Sequence, residues 1–300
     1  MKLLLKDLLN MGEARLKKGN CPTPRLDAEL LFYHMLGKDK SWLFLHYGDE
    51  VDDKICEEYF MLIDSRAEGT PLQHITGSQE FMGLNFQVNK KVLIPRQDTE
   101  ILVEKALGMV KEKRAFKRRV RILDLCCGSG AIAISLAYHL CNQNIKAFLF
   151  ASDVSPDAIS IARNNSVLNK VDRHIRFIEG DLFKPFPKDR RGKGKQQFDF
   201  ILSNPPYIPS GVIPTLMREI KDHEPIIALD GGADGLDFHK RILKEAHSYL
   251  VKGGVLALEI GYDQGNSLKF LADDVKAYES VEILKDFSGN DRLAILKLVG

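Results

Sequence analysis

The fold is decided by residues 120–130, which read Val-Arg-Ile-Leu-Asp-Leu-Cys-Cys-Gly-Ser-Gly. The first six are mainly apolar and predict a buried strand, and the glycines predict a tight turn that leads into a helix at 129–140. Gly128 and Gly130 let the backbone approach a ligand closely, and the start of the helix offers free N–H groups. The dinucleotide-binding fingerprint would need a further glycine at Ala133. Taken alone, this stretch fits a ligand-binding loop and a plain tight turn equally well.

The sequence after residue 118 alternates between short apolar runs and helical segments. Strands are predicted at 120–125, 147–152, 175–179, 198–203 and 254–260, with helices at 129–140, 156–168 and 236–251. This alternation predicts an α/β fold with a parallel, doubly wound sheet. Two last strands, at 281–285 and 292–299, are joined by a Gly-Asn-Asp turn and read as a hairpin. They place an antiparallel strand in an otherwise parallel sheet.

Three domains are predicted along the chain. Residues 1–69, whose leucines recur at helical spacing, form a small N-terminal all-α bundle. Residues 70–98 form a connector with a β-hairpin, since apolar and polar residues alternate there. Residues 99–300 form the α/β domain, and we expect its first helix to be capped near Asp98 or Thr99.

Composition restricts the class of protein. With 300 residues, 44% of them hydrophobic, the chain can bury a large core, and 43 basic against 41 acidic residues predict no nucleic-acid partner. The five cysteines show no metal-ligand spacing, so we predict no metal site and expect reduced thiols in a cytoplasmic protein. No apolar stretch approaches the ~18 residues that span a bilayer, so no membrane partner is expected. The basic stretches 111–119 and 188–195 are predicted to be solvated surface.

Polar residues stand at the ends of four successive predicted strands. These residues are Asp124, Asp153, Asp181 and Asn204. Because the carboxyl ends of parallel strands meet at one edge of the sheet, where ligands bind, the four should line one site. Asp153 could accept the hydroxyls of a ribose, and Asp181 could meet an adenine amino group. Each aspartate alone would read as a strand-end cap.

Asn204, Pro205, Pro206 and Tyr207 form a tetrad of unusual chemistry. It offers one side-chain amide, two residues that have a C=O but no N–H, and one aromatic face. Such a set can accept hydrogen bonds from a planar NH2 group and let its plane stack. An ordinary proline-bounded turn explains the four residues equally well, and only their place at a strand end beside the three aspartates favours the NH2 site.

Over residues 90–300 the chain resembles the class I S-adenosylmethionine-dependent methyltransferases. The resemblance implies a Rossmann-like, mostly parallel seven-stranded sheet with an antiparallel last strand. It implies that the glycine loop holds the methionine part, Asp153 the ribose, and Asp181 with Leu182 the adenine. The implied cofactor-binding residues are Asp124, Cys126, Cys127, Gly128, Ser129, Gly130, Asp153, Asp181, Leu182 and Asn204.

In that class the Asn-Pro-Pro-Tyr tetrad occurs in enzymes that methylate planar NH2 groups: adenine N6, cytosine N4, guanine N2 or the amide of glutamine. The Asn204 Oδ1 atom and the Pro205 carbonyl would each accept one N–H, which aims the nitrogen lone pair at the methyl group. Tyr207 would pack on the plane of the substrate, and water could take the released proton. The predicted catalytic residues are Asn204, Pro205, Pro206 and Tyr207.

The wider pattern resembles the release factor glutamine methyltransferases (PrmC/HemK family) over essentially the whole chain. It is carried by residues 69–77, Phe81, 93–100, 204–209, 224–225, 228–236, 253–254 and 258–259. The resemblance implies methylation of the glutamine N5 atom in the Gly-Gly-Gln motif of class I peptide release factors. It also implies that the N-terminal bundle grips this protein substrate. Arg96 and Glu100 would help to build the substrate pocket, or would serve only as an ion pair or cap at a helix start.

The sequence departs from this family at two positions. Gln97 stands where the family usually has proline, and Cys126 replaces the first glycine of the cofactor loop. The two central glycines, Gly128 and Gly130, are kept, so cofactor binding is expected.

The sequence leaves other functions open. One is a glutamine methyltransferase that acts on a ribosomal protein. Another is an adenine-N6 methyltransferase on DNA or RNA, which should carry a basic recognition domain and a means to flip the base. A non-enzymatic adaptor would be expected to lack Asp153 or Asn204, and both are present.

Overall fold

The computed structural model describes residues 3–112 and 119–300, which form two compact units. The first unit holds the described residues up to Ser78 together with Leu216–His223, and the second holds Gln79–Thr215 and Glu224–Gly300. The predicted domain limits at 69/70 and 98/99 stay predictions. No helix in the described part of the chain is long and apolar enough to cross a membrane.

The α-helices alternate with strands only from Glu100 onward. In chain order they are α1 (Leu5–Lys18), α2 (Pro24–Leu36), α3 (Lys40–Leu45), α4 (Asp53–Ala67), α5 (Leu72–Thr76), α6 (Glu100–Glu112), α7 (Ala131–Asn142), α8 (Pro156–Leu168), α9 (Arg218–Lys221), α10 (Asp237–Ala246) and α11 (Gly265–Val275).

The strands begin after the first five helices. In chain order they are β1 (Ser78–Phe81), β2 (Leu84–Gln87), β3 (Val120–Leu125), β4 (Ala147–Asp153), β5 (Ile175–Glu179), β6 (Phe198–Ser203), β7 (Leu250–Glu259), β8 (Tyr278–Lys285) and β9 (Asp291–Leu298).

The first unit is helical, as its leucine spacing predicts. Its core packs Leu5, Leu8 and Leu9 of α1 against Tyr59 of α4. A buried ionic cluster ties α9 into this unit. The Arg66 guanidinium donates to Asp27 Oδ2 at 2.7 Å and pairs with Glu219 Oε1 at 2.8 Å. Each buried charge thereby has a partner, which offsets the unfavourable loss of water around it.

The second unit is built on a seven-stranded sheet with the order β5-β4-β3-β6-β7-β9-β8. Strands β3 to β7 run parallel, and β9 runs antiparallel to both of its neighbours. The predicted class I methyltransferase fold with its antiparallel last strand is therefore confirmed. The connector carries the predicted hairpin as the separate pair β1–β2.

Both faces of this sheet are covered, as the apolar runs predicted. Ile122 and Phe200 belong to the core on one face, which also holds apolar residues of α6 and α7. Leu123 and Ile201 belong to the core on the other face with residues of α10 and α11. Every residue of β6 is buried, as expected for a central parallel strand.

Several predicted boundaries were wrong. The helix predicted at 236–251 ends at Ala246, and β7 begins at Leu250 rather than at 254 because Leu250 pairs with Phe198. The pairing shifts register beyond Phe198, and Gly253 takes φ +64° there. Helix α11 was not predicted.

Both basic stretches were predicted to be solvated surface, but the structure describes only one of them in full. In the stretch 188–195 every residue is exposed except Gly194. Of the stretch 111–119, residues 113–118 lie outside the described residues.

Candidate active site

The parallel strands end level with one another. Leu125 at the end of β3 lies beside Ser152 of β4 and Ser203 of β6. The predicted strand-end residues therefore reach one edge, where a cavity of ≈ 270 Å³ opens. Those that line this cavity are Asp153, Asp181 and Asn204.

The glycine loop between β3 and α7 forms one wall of the cavity. Its backbone is held by the end of β4, because Gly128 N–H donates to Asp153 Oδ2 at 2.9 Å and Cys127 N–H to the Ser152 carbonyl at 3.0 Å. Ala131 and Ile132, the first residues of α7, also line the cavity. A helix N-terminus at this place offers N–H groups to an anionic ligand group such as a carboxylate.

The loop uses left-handed backbone at three positions. Gly130 has φ +83°, and a Cβ there would lie 2.8 Å from Ile134 Cδ1 and 3.0 Å from Ala162 Cβ, so this position needs glycine. Cys126 has φ +57° and lines the cavity. The cysteine thus adopts the backbone conformation that favours glycine, the residue usual in the family.

Asp153 and Ser155 fix the other side of the loop. Asp153 Oδ1 accepts the Ser155 N–H at 2.9 Å. Burial raises the pKa of the Asp153 carboxyl, while the N–H groups of Ser155 and Gly128 act in the opposite direction. This carboxylate lines the cavity, and its contact with a ribose stays a prediction.

Asp181, after β5, is held by two cations. Arg241 Nη2 lies 2.7 Å from both carboxylate oxygens, and Lys184 Nζ lies 2.8 Å from Oδ2. Partial burial favours the neutral acid, but Lys184 and Arg241 outweigh it and lower the pKa of Asp181. Asp181 is therefore an oriented anion, and Leu182 lines the cavity beside it.

Asp124 is not among the cavity-lining residues. Its side chain is fully buried, and Oδ2 accepts the Ala133 N–H of α7 at 3.1 Å. Burial raises the pKa of this carboxyl well above its usual range. Asp124 thus ties the first turn of α7 to β3 and does not line the cavity with the other three strand-end residues.

The tetrad after β6 is fixed by side chains from distant segments. Asn204 Nδ2 donates to Thr99 Oγ1 at 3.1 Å, and the Tyr207 hydroxyl donates to Glu259 Oε1 at 3.1 Å. Asn204 and Pro206 line the cavity, whereas Pro205 and Tyr207 are not among its lining residues. Packing of Tyr207 on a substrate stays a prediction.

Arg96 and Glu100 have different surroundings in the structure. Arg96 lines the cavity and donates to Glu224 Oε1 at 2.6 Å. Glu100 is not a lining residue, and its Oε1 accepts the Met82 N–H at 2.7 Å. Their joint role in ordering a substrate pocket stays a prediction.

Sequence reasoning missed Thr99, Glu224 and Glu259 as members of the site. Thr99, expected near a helix cap, instead donates its hydroxyl to Glu259 Oε2 at 2.7 Å. The signal for Glu259 was its place at 258–259, among the residues that carry the family resemblance.

These residues fit S-adenosylmethionine. The cavity is mainly apolar with a few directed polar groups, as small-molecule sites usually are. Space above Gly128 is open, since a Cβ there would meet nothing within 4 Å. The carboxylates of Asp153 and Asp181 can accept hydrogen bonds from ribose hydroxyls and an adenine amino group.

Comparison with known proteins agrees with this geometry. Residues 7–77 match the PrmC N-terminal domain family, and residues 116–292 match a methyltransferase domain family. The release factor glutamine methyltransferase of Clostridium botulinum is 38% identical over 97% of this chain and 98% of its own length. That of Clostridium acetobutylicum is 40% identical over 97% of both chains.

The chain belongs to the release factor glutamine methyltransferase family. Like the family as a whole, it is an S-adenosylmethionine-dependent methyltransferase. A methyltransferase from Pyrococcus furiosus has a similar structure, with a TM-score of 0.50 and 22% identity over 73% of this chain and 90% of that one. This second likeness concerns the fold alone.

Proposed function

We propose that the chain methylates the side-chain amide nitrogen of a glutamine in class I peptide release factors. The target is the glutamine of the Gly-Gly-Gln motif, and the products are N5-methylglutamine and S-adenosylhomocysteine. One observation carries the proposal. The Asn204 amide lies in the same cavity as the glycine loop and Asp153, so the proposed NH2-acceptor and methyl-donor sites would share one space.

The cofactor site follows from the residues on the loop. S-adenosylmethionine, when bound, supplies a methyl group on a positively charged sulfur. The backbone of Cys126, Cys127, Gly128, Ser129 and Gly130 would hold its methionine part, Asp153 the ribose, and Asp181 with Leu182 the adenine. Asp124 would keep α7 in place rather than touch the ligand, because it is fully buried and is not among the cavity-lining residues.

The amide site works by orientation. The Asn204 Oδ1 atom and the Pro205 carbonyl each accept one N–H of the substrate amide, which aims the nitrogen lone pair at the methyl carbon. S-adenosylmethionine would supply the methyl group from its positively charged sulfur, and water would take one N–H proton from the oriented amide. Because the residues only bind and orient, positioning supplies much of the rate.

The helical first unit is proposed to bind the body of the release factor, so that only the loop with the glutamine enters the cavity. The similarity of residues 7–77 to the PrmC N-terminal domain supports this assignment. A cytoplasmic location and the lack of a nucleic-acid partner remain predictions from the sequence.

Methyl transfer to defined acceptors tests the proposal. The purified protein is incubated with labelled S-adenosylmethionine and, in separate reactions, a release factor, its variant with Gly-Gly-Ala in place of Gly-Gly-Gln, a ribosomal protein and DNA. Label on the release factor alone is expected. Equal label on the Gly-Gly-Ala variant would exclude the proposed glutamine, and label on DNA or ribosomal protein would point to the alternative substrates.

A further inference from the structure

Glu259 is a buried carboxylate at the end of β7 that the proposed reaction does not use. Its side chain is enclosed, with the residue only 2% exposed. Two hydroxyl groups donate to it, Thr99 Oγ1 to Oε2 at 2.7 Å and Tyr207 OH to Oε1 at 3.1 Å. Tyr207 belongs to the tetrad, and Thr99 contacts Asn204 of the same tetrad.

The hydrogen bonds from Asn204 to Glu259 have a defined direction. An ionised carboxylate can only accept, so the single hydroxyl proton of Thr99 must go to Glu259. Thr99 Oγ1 then offers only lone pairs to Asn204, which must present Nδ2 at the observed 3.1 Å. The amide oxygen of Asn204 is thereby left for another donor.

We infer that Thr99 and Glu259 are positioning residues that fix the Asn204 amide, so that its Oδ1 atom accepts an N–H of the substrate amide. The inference rests on the proposed function, since it assumes that an NH2 group binds at Asn204. Glu259 also orients the Tyr207 hydroxyl, so one carboxylate orders two members of the tetrad.

The protonation state of Glu259 sets this direction. A protonated Glu259 can donate to Thr99 Oγ1, which frees the Thr99 proton to bind Asn204 Oδ1 and lets the amide turn over. Burial raises the pKa of Glu259 to about 7, although Thr99, Tyr207 and the charge of Arg292 lower it.

Among the described residues, several titratable or charged groups act on Glu259 or contact it. Asp98, beside Thr99, also raises its pKa, and Arg292 of β9 pairs with Asp98 at 3.2 Å and lies 3.5 Å from the Tyr207 hydroxyl. His239 of α10 contacts the Glu259 carbonyl at 2.9 Å. The ionised form of Glu259 is the one that holds Asn204 correctly. The kcat should therefore be full above the pKa and fall as pH drops through about 7.

Three variants of the full chain test the inference with a release factor as acceptor. Thr99→Val removes the hydroxyl at nearly constant volume, Thr99→Ser keeps it, and Glu259→Gln replaces the titrating group by a neutral isostere. For each, kcat, KM for the release factor, Kd for S-adenosylmethionine and the melting temperature are measured, with kcat followed from about pH 6 to about pH 9 to span the titration.

Thr99→Val should lower kcat about tenfold, the loss that one hydrogen bond of ordinary strength produces, with an unchanged cofactor Kd. Thr99→Ser should retain kcat. Glu259→Gln should lose the acid limb of the kcat profile, because no group is left to titrate.

Equal losses in the Val and Ser variants, a wild-type kcat in Thr99→Val, or an acid limb that persists in Glu259→Gln would each overturn the inference. If Thr99→Val melts too early to assay, the pH profile of Glu259→Gln decides alone. A wild-type protein that methylates no release factor would instead overturn the proposed function, and this inference with it.

Discussion

The two ends of the cavity are built in different ways. At the proposed cofactor end, Gly128 is held by Asp153, which lies 25 positions away on the next strand. At the proposed amide end, Asn204 is held by Thr99 across 105 positions, and Thr99 by Glu259 across 160. In the glycine loop a side chain holds backbone N–H groups, whereas around Asn204 side chains hold one another.

This difference has a physical reason. A glycine loop between a strand and a helix is a local structure, which its own sequence and the neighbouring strand can form. The direction of a single amide must come from outside, because a side chain that rotates freely could present either its oxygen or its nitrogen. We therefore expect changes at the amide end to reduce turnover and changes at the cofactor end to reduce cofactor affinity.

The largest effect is expected for Asn204→Ala. Loss of the amide should lower kcat by at least about 100-fold, since it removes the group that orients the substrate nitrogen. The cofactor Kd should stay near that of the wild type, measured by calorimetry. Asn142→Ala, an exposed residue at the end of α7, is the matched control and should change neither value. A large rise of the cofactor Kd in Asn204→Ala would contradict the proposed division of roles between the two ends of the cavity.

A smaller effect, on the cofactor Kd rather than on kcat, is expected for Asp153→Ala. This change removes the acceptor for the Gly128 and Ser155 N–H groups and the proposed ribose contact. The cofactor Kd should rise by about 10- to 100-fold, as expected for the loss of one or two hydrogen bonds to a charged group. Exposed Asp172→Ala serves as the control. An unchanged Kd with a reduced kcat would contradict the assignment of Asp153 to the cofactor end.

Gly130→Ala, in the glycine loop, should lower the stability of the protein. The new Cβ would approach Ile134 and Ala162 at left-handed backbone, and we expect a loss of about 1–3 kcal/mol in the free energy of unfolding. Gly108→Ala in α6 meets nothing within 4 Å and should instead stabilise by about 0.5–1 kcal/mol. Denaturant titration of both variants measures the difference. Equal stability of the two would show that the tight packing of the loop does not matter.

The smallest effect is expected for Cys126→Gly, which restores the residue usual in the family. Cys126 already has φ +57°, so glycine fits there without a change of backbone. We expect a cofactor Kd within about threefold of the wild type and a stability change below about 1 kcal/mol. A large gain in affinity would mean that the cysteine side chain hinders the cofactor.

Much of the fold could be predicted because it depends on local pattern. The bounds of β3, β5, β6 and α8 match the predicted ranges residue for residue. Helix α11 and the start of β7 could not be placed in this way. The start of β7 depends on the pairing of Leu250 with Phe198, a contact between segments far apart in the chain.

The candidate site likewise has a part that the sequence could predict and a part that it could not. The sequence by itself determined the strand–turn–helix loop and the set of Asp153, Asp181 and Asn204, because residues at successive strand ends must share one edge of a parallel sheet. Only the tertiary structure decided that Asp124 does not line the cavity and that Thr99 and Glu259 stand behind Asn204. Periodicity reports which face of an element is buried, whereas the partner of a buried polar atom is set by how distant elements pack.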